Sequence, residues 1–248
     1  MAINSISIVK KKFYPEIAEL ENNFQISDDG ELCVAIGGDG TFLRAAKSFT
    51  CPILHIRGGE RDSLGYHAEI TISDIRLAIK KLKQGEYSID RYPKLRIAYR
   101  NRTYNAINDA ILFRAGSRGI HFTVNYYDCN GNEVPLFPGT IRGDGLIFAR
   151  EIGSTAYNYF AHGPILLDID GVVVTPISAN YDFSIVSNKN FRITLTKSVA
   201  VLECDGKNIS KLYRGDSFTV TKSDRVVQVV RLQEGEKFSD KLARLEGF

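Results

Sequence analysis

The sequence predicts a two-domain α+β chain, with an N-terminal α/β half followed by a β-rich C-terminal half. Before about residue 88, short apolar runs alternate with segments of helical periodicity, the pattern of a parallel sheet dressed with helices. Beyond it, period-two alternation dominates, as where Leu95, Ile97 and Tyr99 alternate with Arg96, Ala98 and Arg100. The dipeptides Asn130-Gly131 and Asp205-Gly206 mark hairpin turns in that second half. At 248 residues the chain is long enough to bury a core without staples. These patterns divide it into an α/β domain, 1–88, and a β-rich domain, 89–234. Residues 239–245 are helical in pattern, and the last stretch, 235–248, is expected to pack back on the first domain.

Taken in order, residues 6–9 read as a strand. Residues 15–24 read as a helix, with Pro15 in its first turn and Ile17, Leu20 and Phe24 on one stripe. Leu32 to Ile36 is a continuous apolar run, expected of a strand covered on both faces. Residues 41–49 are helical, and 52–56 form another short strand. A helix capped by Ser73 runs to Gln84, with Gly85 just past its end. In the second half the pattern predicts strands at 120–127, 172–174, 193–195, 199–202, 218–220 and 226–232, interrupted by one helix at 155–161.

Charge and composition exclude several functions. Lys plus Arg is 32 and Asp plus Glu is 29, a formal net charge of +3. That is too little for a polyanion binder driven by bulk charge, so no nucleic-acid partner is expected. No apolar run reaches the roughly 20 residues of a membrane span, so no membrane partner is expected either. Cys33, Cys51, Cys129 and Cys204 form no CxxC pair, and His55, His67, His121 and His162 are isolated in sequence, which argues against a zinc site. A cytoplasmic, reducing location is the economical expectation.

The sharpest chemical signal is Gly37-Gly38-Asp39-Gly40-Thr41, between a buried strand and a helix. Glycines there let the backbone turn tightly, and the N–H groups of the helix start favour an anion. Arg44, one turn on, is placed to reach the same phosphate. Asp39 is the odd member, since a carboxylate repels phosphate. It holds a cation, accepts a proton from an attacking hydroxyl, or merely caps the helix. A second cluster, Arg142-Gly143-Asp144-Gly145 followed by Gly153-Ser154-Thr155-Ala156-Tyr157, suits a sugar or phosphate lying close to backbone; alternatively it is a hairpin turn and a Ser cap. Asn108-Asp109 interrupts an apolar run, where polar residues need partners: a ligand's hydroxyls, a sheet edge or a buried turn.

Together these segments resemble the NAD kinase family. Residues 37–45 look like its glycine-rich signature, Leu64-Gly65-Tyr66 like its LGF segment and Asn108-Asp109 like its Asn-Glu/Asp pair. Residues 143–147, 153–157 and 163–165 look like its long glycine-rich stretch, and Asp205-Gly206-Lys207 like its late DGQ turn. The resemblance implies a Rossmann-like first domain and a β-sandwich-like second one. It implies phosphorylation of the 2′-hydroxyl of the adenosine ribose of NAD to give NADP, with ATP or polyphosphate as donor and Mg²⁺ or another divalent cation as cofactor. By matched position, Asp39 is the expected base, placed near the cation. Gly37, Gly38, Gly40, Thr41 and Arg44 face donor phosphates, Gly40 also touching NAD. Tyr66 packs near adenine, and Asn108, Ser154, Thr155, Ala156 and Tyr157 hold the adenosine side. Asp109 and Asp205 take the nicotinamide-ribose side, Ala179 completes the NAD set, and Asp144 reaches a neighbouring subunit's ligand in a homodimer or homotetramer.

The chain departs from the family pattern at several points. Arg150-Glu151-Ile152 stands where Thr-Pro-Thr is usual, Arg57 where an asparagine is expected, and Ala179-Asn180 where a Pro-His pair is expected. Arg57, Arg61 and Arg150 add donor-phosphate contacts or are solvated loop charges. Two rival readings follow: a kinase of another hydroxyl acceptor, lipid or sugar, and a non-catalytic dinucleotide sensor.

Overall fold

The computed structural model describes residues 2–59, 65–232 and 243. It divides into two compact units, Met1–Tyr92 with Val227–Phe248, and Pro93–Val226. The expected packing of 235–248 lies outside the described residues, apart from Ala243.

In the first unit β1 (Ser5–Lys10), β2 (Gln25–Ile26), β3 (Leu32–Ile36), β4 (Ile53–Arg57) and β5 (Ile70–Thr71) form a parallel sheet in the order β2-β1-β3-β4-β5. The apolar run of β3 is buried at every residue because strands flank it on both sides and helices cover its faces. The helices are α1 (Ile17–Glu21), α2 (Asp39–Ser48) and α3 (Ile75–Gln84). The first is shorter than its periodicity predicts: Phe24 is buried but lies beyond the helix. The third starts after a 3-10 turn, Ile72–Asp74, and no side chain caps it; Gly85 ends it in the left-handed region at φ 70°. Ile6, Leu20, Leu32, Val34, Ile36, Leu54, Ile56 and Leu82 make the core of this unit.

β1 leads to β2 on one side of the sheet and the chain returns to β3 on the other, so the strand order reverses between β1 and β3. In open parallel sheets the crevice beyond the carboxyl ends of such strands is where ligands bind. Residues 37–41 begin at that end of β3.

β6 (Tyr87–Tyr99) carries the chain into the second unit, where its Leu95–Tyr99 portion pairs antiparallel with β7 (Arg102–Ala106). There follow β8 (Asp109–Arg114), β9 (Ile120–Tyr127), β10 (Glu133–Pro135), β11 (Ile141–Gly143), β12 (Gly145–Ala149), α4 (Glu151–Ser154), α5 (Tyr157–Phe160), β13 (Val172–Ile177), β14 (Ile185–Ser187), β15 (Phe191–Lys197), β16 (Ala200–Cys204), β17 (Lys207–Leu212) and β18 (Ser217–Leu232). One sheet runs β14-β13-β12-β8-β16-β17, and the other includes β10-β9-β15-β18 with β11 on β9. Both contribute to one core, in which Phe148 meets Phe191 at 5.7 Å and Phe218 edge-on at 6.5 Å between ring centroids.

Three local expectations are corrected. The helix expected over 155–161 shortens to one turn, α5, and a separate turn, α4, precedes it across Thr155-Ala156. Asp144-Gly145 is not a hairpin: β11 pairs with one sheet and β12 with the other, so Asp144 is where the chain changes sheets. Residues 227–232, read from sequence as the end of the β-rich half, belong to the first unit. There Val229 pairs in parallel with Ile53, and Glu69 accepts the Leu232 N–H at 2.8 Å. Arg231 adds bonds to Glu69 (3.1 Å), Asp90 (2.8 Å) and the Tyr92 hydroxyl (2.9 Å). Burial works against the guanidinium charge, but Tyr92, Asp90 and Glu69 outweigh it and raise its pKa.

Candidate active site

The glycine-rich turn is built for close approach. Gly37 lies at φ +148°, and an added Cβ would meet Thr41 Oγ1 at 2.5 Å, so only glycine fits. Gly38 caps α2 with extended backbone, and its carbonyl accepts the Thr41 and Phe42 N–H groups at 2.8 and 3.3 Å. Gly40 is exposed, with open space where a side chain would stand. Thr41 is buried.

Asp39 is the first residue of α2, and its carboxylate does not cap that helix. It turns instead to the segment 65–67. Tyr66 N–H donates to Oδ2 and His67 N–H to Oδ1, both at 3.1 Å. Burial pushes the carboxyl pKa up, but the charges of His67 and His55 and the two N–H bonds outweigh it, so the pKa is lowered. Asp39 is therefore a carboxylate at neutral pH, at the positive end of a helix.

The two histidines, isolated in sequence, converge here. Phe42 lies between them, with ring centroids 5.4 Å from His55 and 5.2 Å from His67; Tyr66 meets His67 edge-on at 5.4 Å. His55 is fully buried on β4 and its Nε2 lies 3.0 Å from the Gly37 carbonyl oxygen. The available signal was His55 itself, a polar residue inside the apolar run Ile53–Ile56, which requires a partner when buried.

Arg44 does not point at the turn: its Nη2 donates to the Lys10 carbonyl at 2.8 Å, at the carboxyl end of β1. Arg57 is partly buried against Gly65, whose added Cβ would meet Arg57 Cδ at 2.9 Å; among the described residues Arg57 Nε has no hydrogen-bond partner. Arg61, and Leu64, the first residue of the expected LGF-like segment, lie outside the described residues.

The second unit assembles a separate group. Asp205 and Gly206 have φ of 46° and 70°, the left-handed pair of a tight hairpin turn joining β16 and β17. The Asp205 carboxylate accepts N–H bonds from Ile107 (2.9 Å), Asn108 (2.7 Å) and Asp109 (3.4 Å). It braces the Asn108 loop. Gly153 lets α4 close on that loop, because an added Cβ would overlap the Asn108 carbonyl. Asn108 Oδ1 is buried without a hydrogen-bond partner among the described residues. Asp109 is buried at the start of β8.

Ser154 and Thr155 turn their hydroxyls to backbone, Ser154 Oγ to Glu151 O at 2.7 Å and Thr155 Oγ1 to Ile152 O at 3.2 Å. Tyr157 is exposed. Asn158, not singled out in the sequence, is fully buried and ties Ser154 O, Pro164 O and Thr175 Oγ1 together. Ala179 packs on Gly143, where an added Cβ would meet its Cα at 2.9 Å, and Asn180 Oδ1 accepts the Arg142 N–H. Asp144 pairs with Arg114 at 2.8 Å in its own chain.

Arg150 is neither a solvated loop charge nor a free phosphate ligand. It is buried, and Nη2 pairs with Asp170 at 2.5 Å; Lys222 pairs with the same carboxylate from solvent.

Two family models match this chain: the ATP-NAD kinase N-terminal domain over residues 3–87 and the ATP-NAD kinase C-terminal domain over 107–232. The NAD kinase of Picrophilus torridus is 32% identical over 87% of this chain and 80% of its own length. That of Clostridium beijerinckii is 30% identical over 92% and 84%. Among solved structures, an NAD kinase from Archaeoglobus fulgidus in complex with ATP superposes with a TM-score of 0.79 at 20% identity, covering 98% of this chain and 99% of that one. Yeast NADH kinase complexed with NADH gives 0.80 at 18%, covering 99% and 87%. Among the described residues no helix is long and apolar enough to cross a membrane. With both halves matched in order and the glycine-rich turn at the carboxyl end of β3, the chain belongs to the NAD kinase family, a family of phosphotransferases.

Proposed function

We propose that this chain transfers the terminal phosphoryl group of ATP or polyphosphate to the 2′-hydroxyl of the adenosine ribose of NAD. The observation that carries the reading is the Asp39 carboxylate, kept ionised at the start of α2 by two N–H groups and two histidines. An ionised carboxylate beside a phosphate-binding turn accepts the proton of the attacking hydroxyl as the O–P bond forms. Phosphoryl transfer needs positioning and charge neutralisation more than covalent help, which suits a site made mainly of backbone N–H groups. Gly37, Gly38, Gly40 and Thr41 serve the donor phosphates. Arg44, bonded to Lys10, must turn away from that carbonyl to join them.

On the NAD side, the unpartnered Asn108 Oδ1 supports a ligand contact there. Asp205 acts by holding that loop, and Asp109, Ser154, Thr155, Ala156, Tyr157, Ala179 and Tyr66 complete the set. A divalent cation such as Mg²⁺ fits this donor set, because Mg²⁺ is held by one or two carboxylates together with substrate phosphates and water, and Asp39 is the carboxylate at the turn. When bound, it neutralises charge on the phosphoryl group being transferred. The reading includes a cytoplasmic location and a homodimer or homotetramer in which Asp144 faces the partner's ligand; sedimentation velocity tests the assembly.

The test incubates the purified protein with NAD and Mg²⁺ and either ATP or polyphosphate, following NADP with an NADP-specific dehydrogenase. NADP formation with at least one donor is expected. Tight NAD binding with no NADP from either donor would replace this reading with a dinucleotide sensor.

A further inference from the structure

The peptide between Gly37 and Gly38 has glycine on both sides, so rotating it end over end meets no Cβ. Its surroundings are held firmly on either side. Gly37 N–H donates to the Ile56 carbonyl at 2.9 Å, and the Gly38 carbonyl accepts from the first turn of α2. The remaining group, the Gly37 carbonyl, faces His55 Nε2 at 3.0 Å. A carbonyl oxygen only accepts, so Nε2 carries the hydrogen and donates it. The imidazole is fully buried on β4 and stacked on Phe42 at 5.4 Å, 27° from parallel, which fixes its plane.

In a planar trans peptide the carbonyl and the following N–H point in opposite directions. With the Gly37 carbonyl drawn toward β4, the Gly38 N–H points to the β1 side, where the strand order reverses. Gly38 is buried, and among the described residues its N–H has no acceptor. A buried amide without a partner is uncommon and marks a place where a ligand is expected.

We infer that His55 is a positioning residue for the glycine-rich turn: by holding the Gly37 carbonyl it aims the Gly38 N–H at the donor phosphate. This rests on the reading that the turn takes donor phosphates. On this inference His55 acts on the donor phosphate through one peptide plane, in addition to the effect of its charge on Asp39.

The experiment compares His55→Gln, which keeps an N–H near the Nε2 position, with His55→Asn, whose shorter amide does not reach, and His55→Leu. KM for ATP and for NAD and kcat are measured for each, with thermal melting as the fold control. Loss of one positioning hydrogen bond predicts a rise of about tenfold in KM for ATP in His55→Leu and His55→Asn. KM for NAD stays within about twofold on the same scale, and His55→Gln recovers most of the loss. Equal behaviour of the Gln and Asn variants, or a matching rise in KM for NAD, would overturn the inference. If His55→Leu does not fold, the Gln and Asn pair carries the comparison. A second readout is independent of turnover: the Gly38 amide resonance is expected to move on titration with ATP in the wild type and in His55→Gln, and not in His55→Asn. A wild type that binds ATP with this shift yet makes no NADP would remove the proposed activity and leave the role of His55 standing. A wild-type Gly38 resonance indifferent to ATP would remove the role itself.

Discussion

Asp39 and Asp205 are built on the same plan and end in different situations. Each carboxylate reaches across a long stretch of chain to collect backbone N–H groups, Asp39 from Tyr66 and His67, Asp205 from residues 107–109. Asp205 sits on a hairpin tip and is occupied as a brace, the polar group without a partner among the described residues being the buried Oδ1 of the Asn108 it holds. Asp39 sits at a helix start near two histidines, a brace that the proposed function also makes the proton acceptor. On that reading, the same side chain in the same kind of loop-pinning role is structural or chemical according to what else lies beside it.

Gly153→Ala forces a Cβ into the Asn108 carbonyl, where no rotamer change relieves it. It is expected to destabilise the protein by about 3 kcal/mol, the upper end of overpacking costs, measured by urea unfolding. Asp205→Ala leaves the N–H groups of 107–109 without their acceptor. The expected cost is about 2 kcal/mol, together with a rise in KM for NAD and an unchanged KM for ATP. An effect on ATP alone would show that the brace belongs to the donor side.

The Asp39 carboxylate also ties stability to acid. Its carboxyl pKa is lowered on folding, so the unfolded chain binds the proton more readily. The ionised form therefore stabilises the fold above the ordinary value of 3.8, and that contribution is lost as pH falls through the lower folded value. Asp39→Asn should flatten the acid limb of a stability-versus-pH curve; an identical limb would contradict the assignment. The smallest effect is expected at Arg150. Arg150→Met removes a buried charge and leaves the exposed Asp170 paired with Lys222, a change within about 1 kcal/mol. Asp170→Ala strands the buried guanidinium and should cost more in the same unfolding measurement.

Much of this was legible from local signals. The buried run of β3 followed by glycines located the turn, Gly85 ended α3, and Asp205-Gly206 adopted the left-handed pair its residues favour. Such features are set by backbone sterics within a few residues. Long-range pairings were not legible. His55 and His67 meet through Phe42 only once β4 and the segment after it are placed, and nothing in their spacing reports that. Asp144-Gly145 has hairpin chemistry, but the neighbours available to β11 and β12 sent them to different sheets. The stripe at 155–161 suggested a helix, whereas only the turn 157–160 forms, with the buried Asn158 tied to Ser154, Pro164 and Thr175. Arg150 looked solvated because its partner, Asp170, is twenty residues on.

The most direct test sets Asp39→Asn beside Asp205→Asn in the NADP-forming assay, with melting curves to confirm that both fold. Asp39→Asn should lower kcat by roughly 10²–10⁴-fold with little change in either KM, as loss of a general base does. Asp205→Asn should act chiefly through KM for NAD. An Asp39→Asn enzyme that turns over at the wild-type rate would contradict the account at its centre.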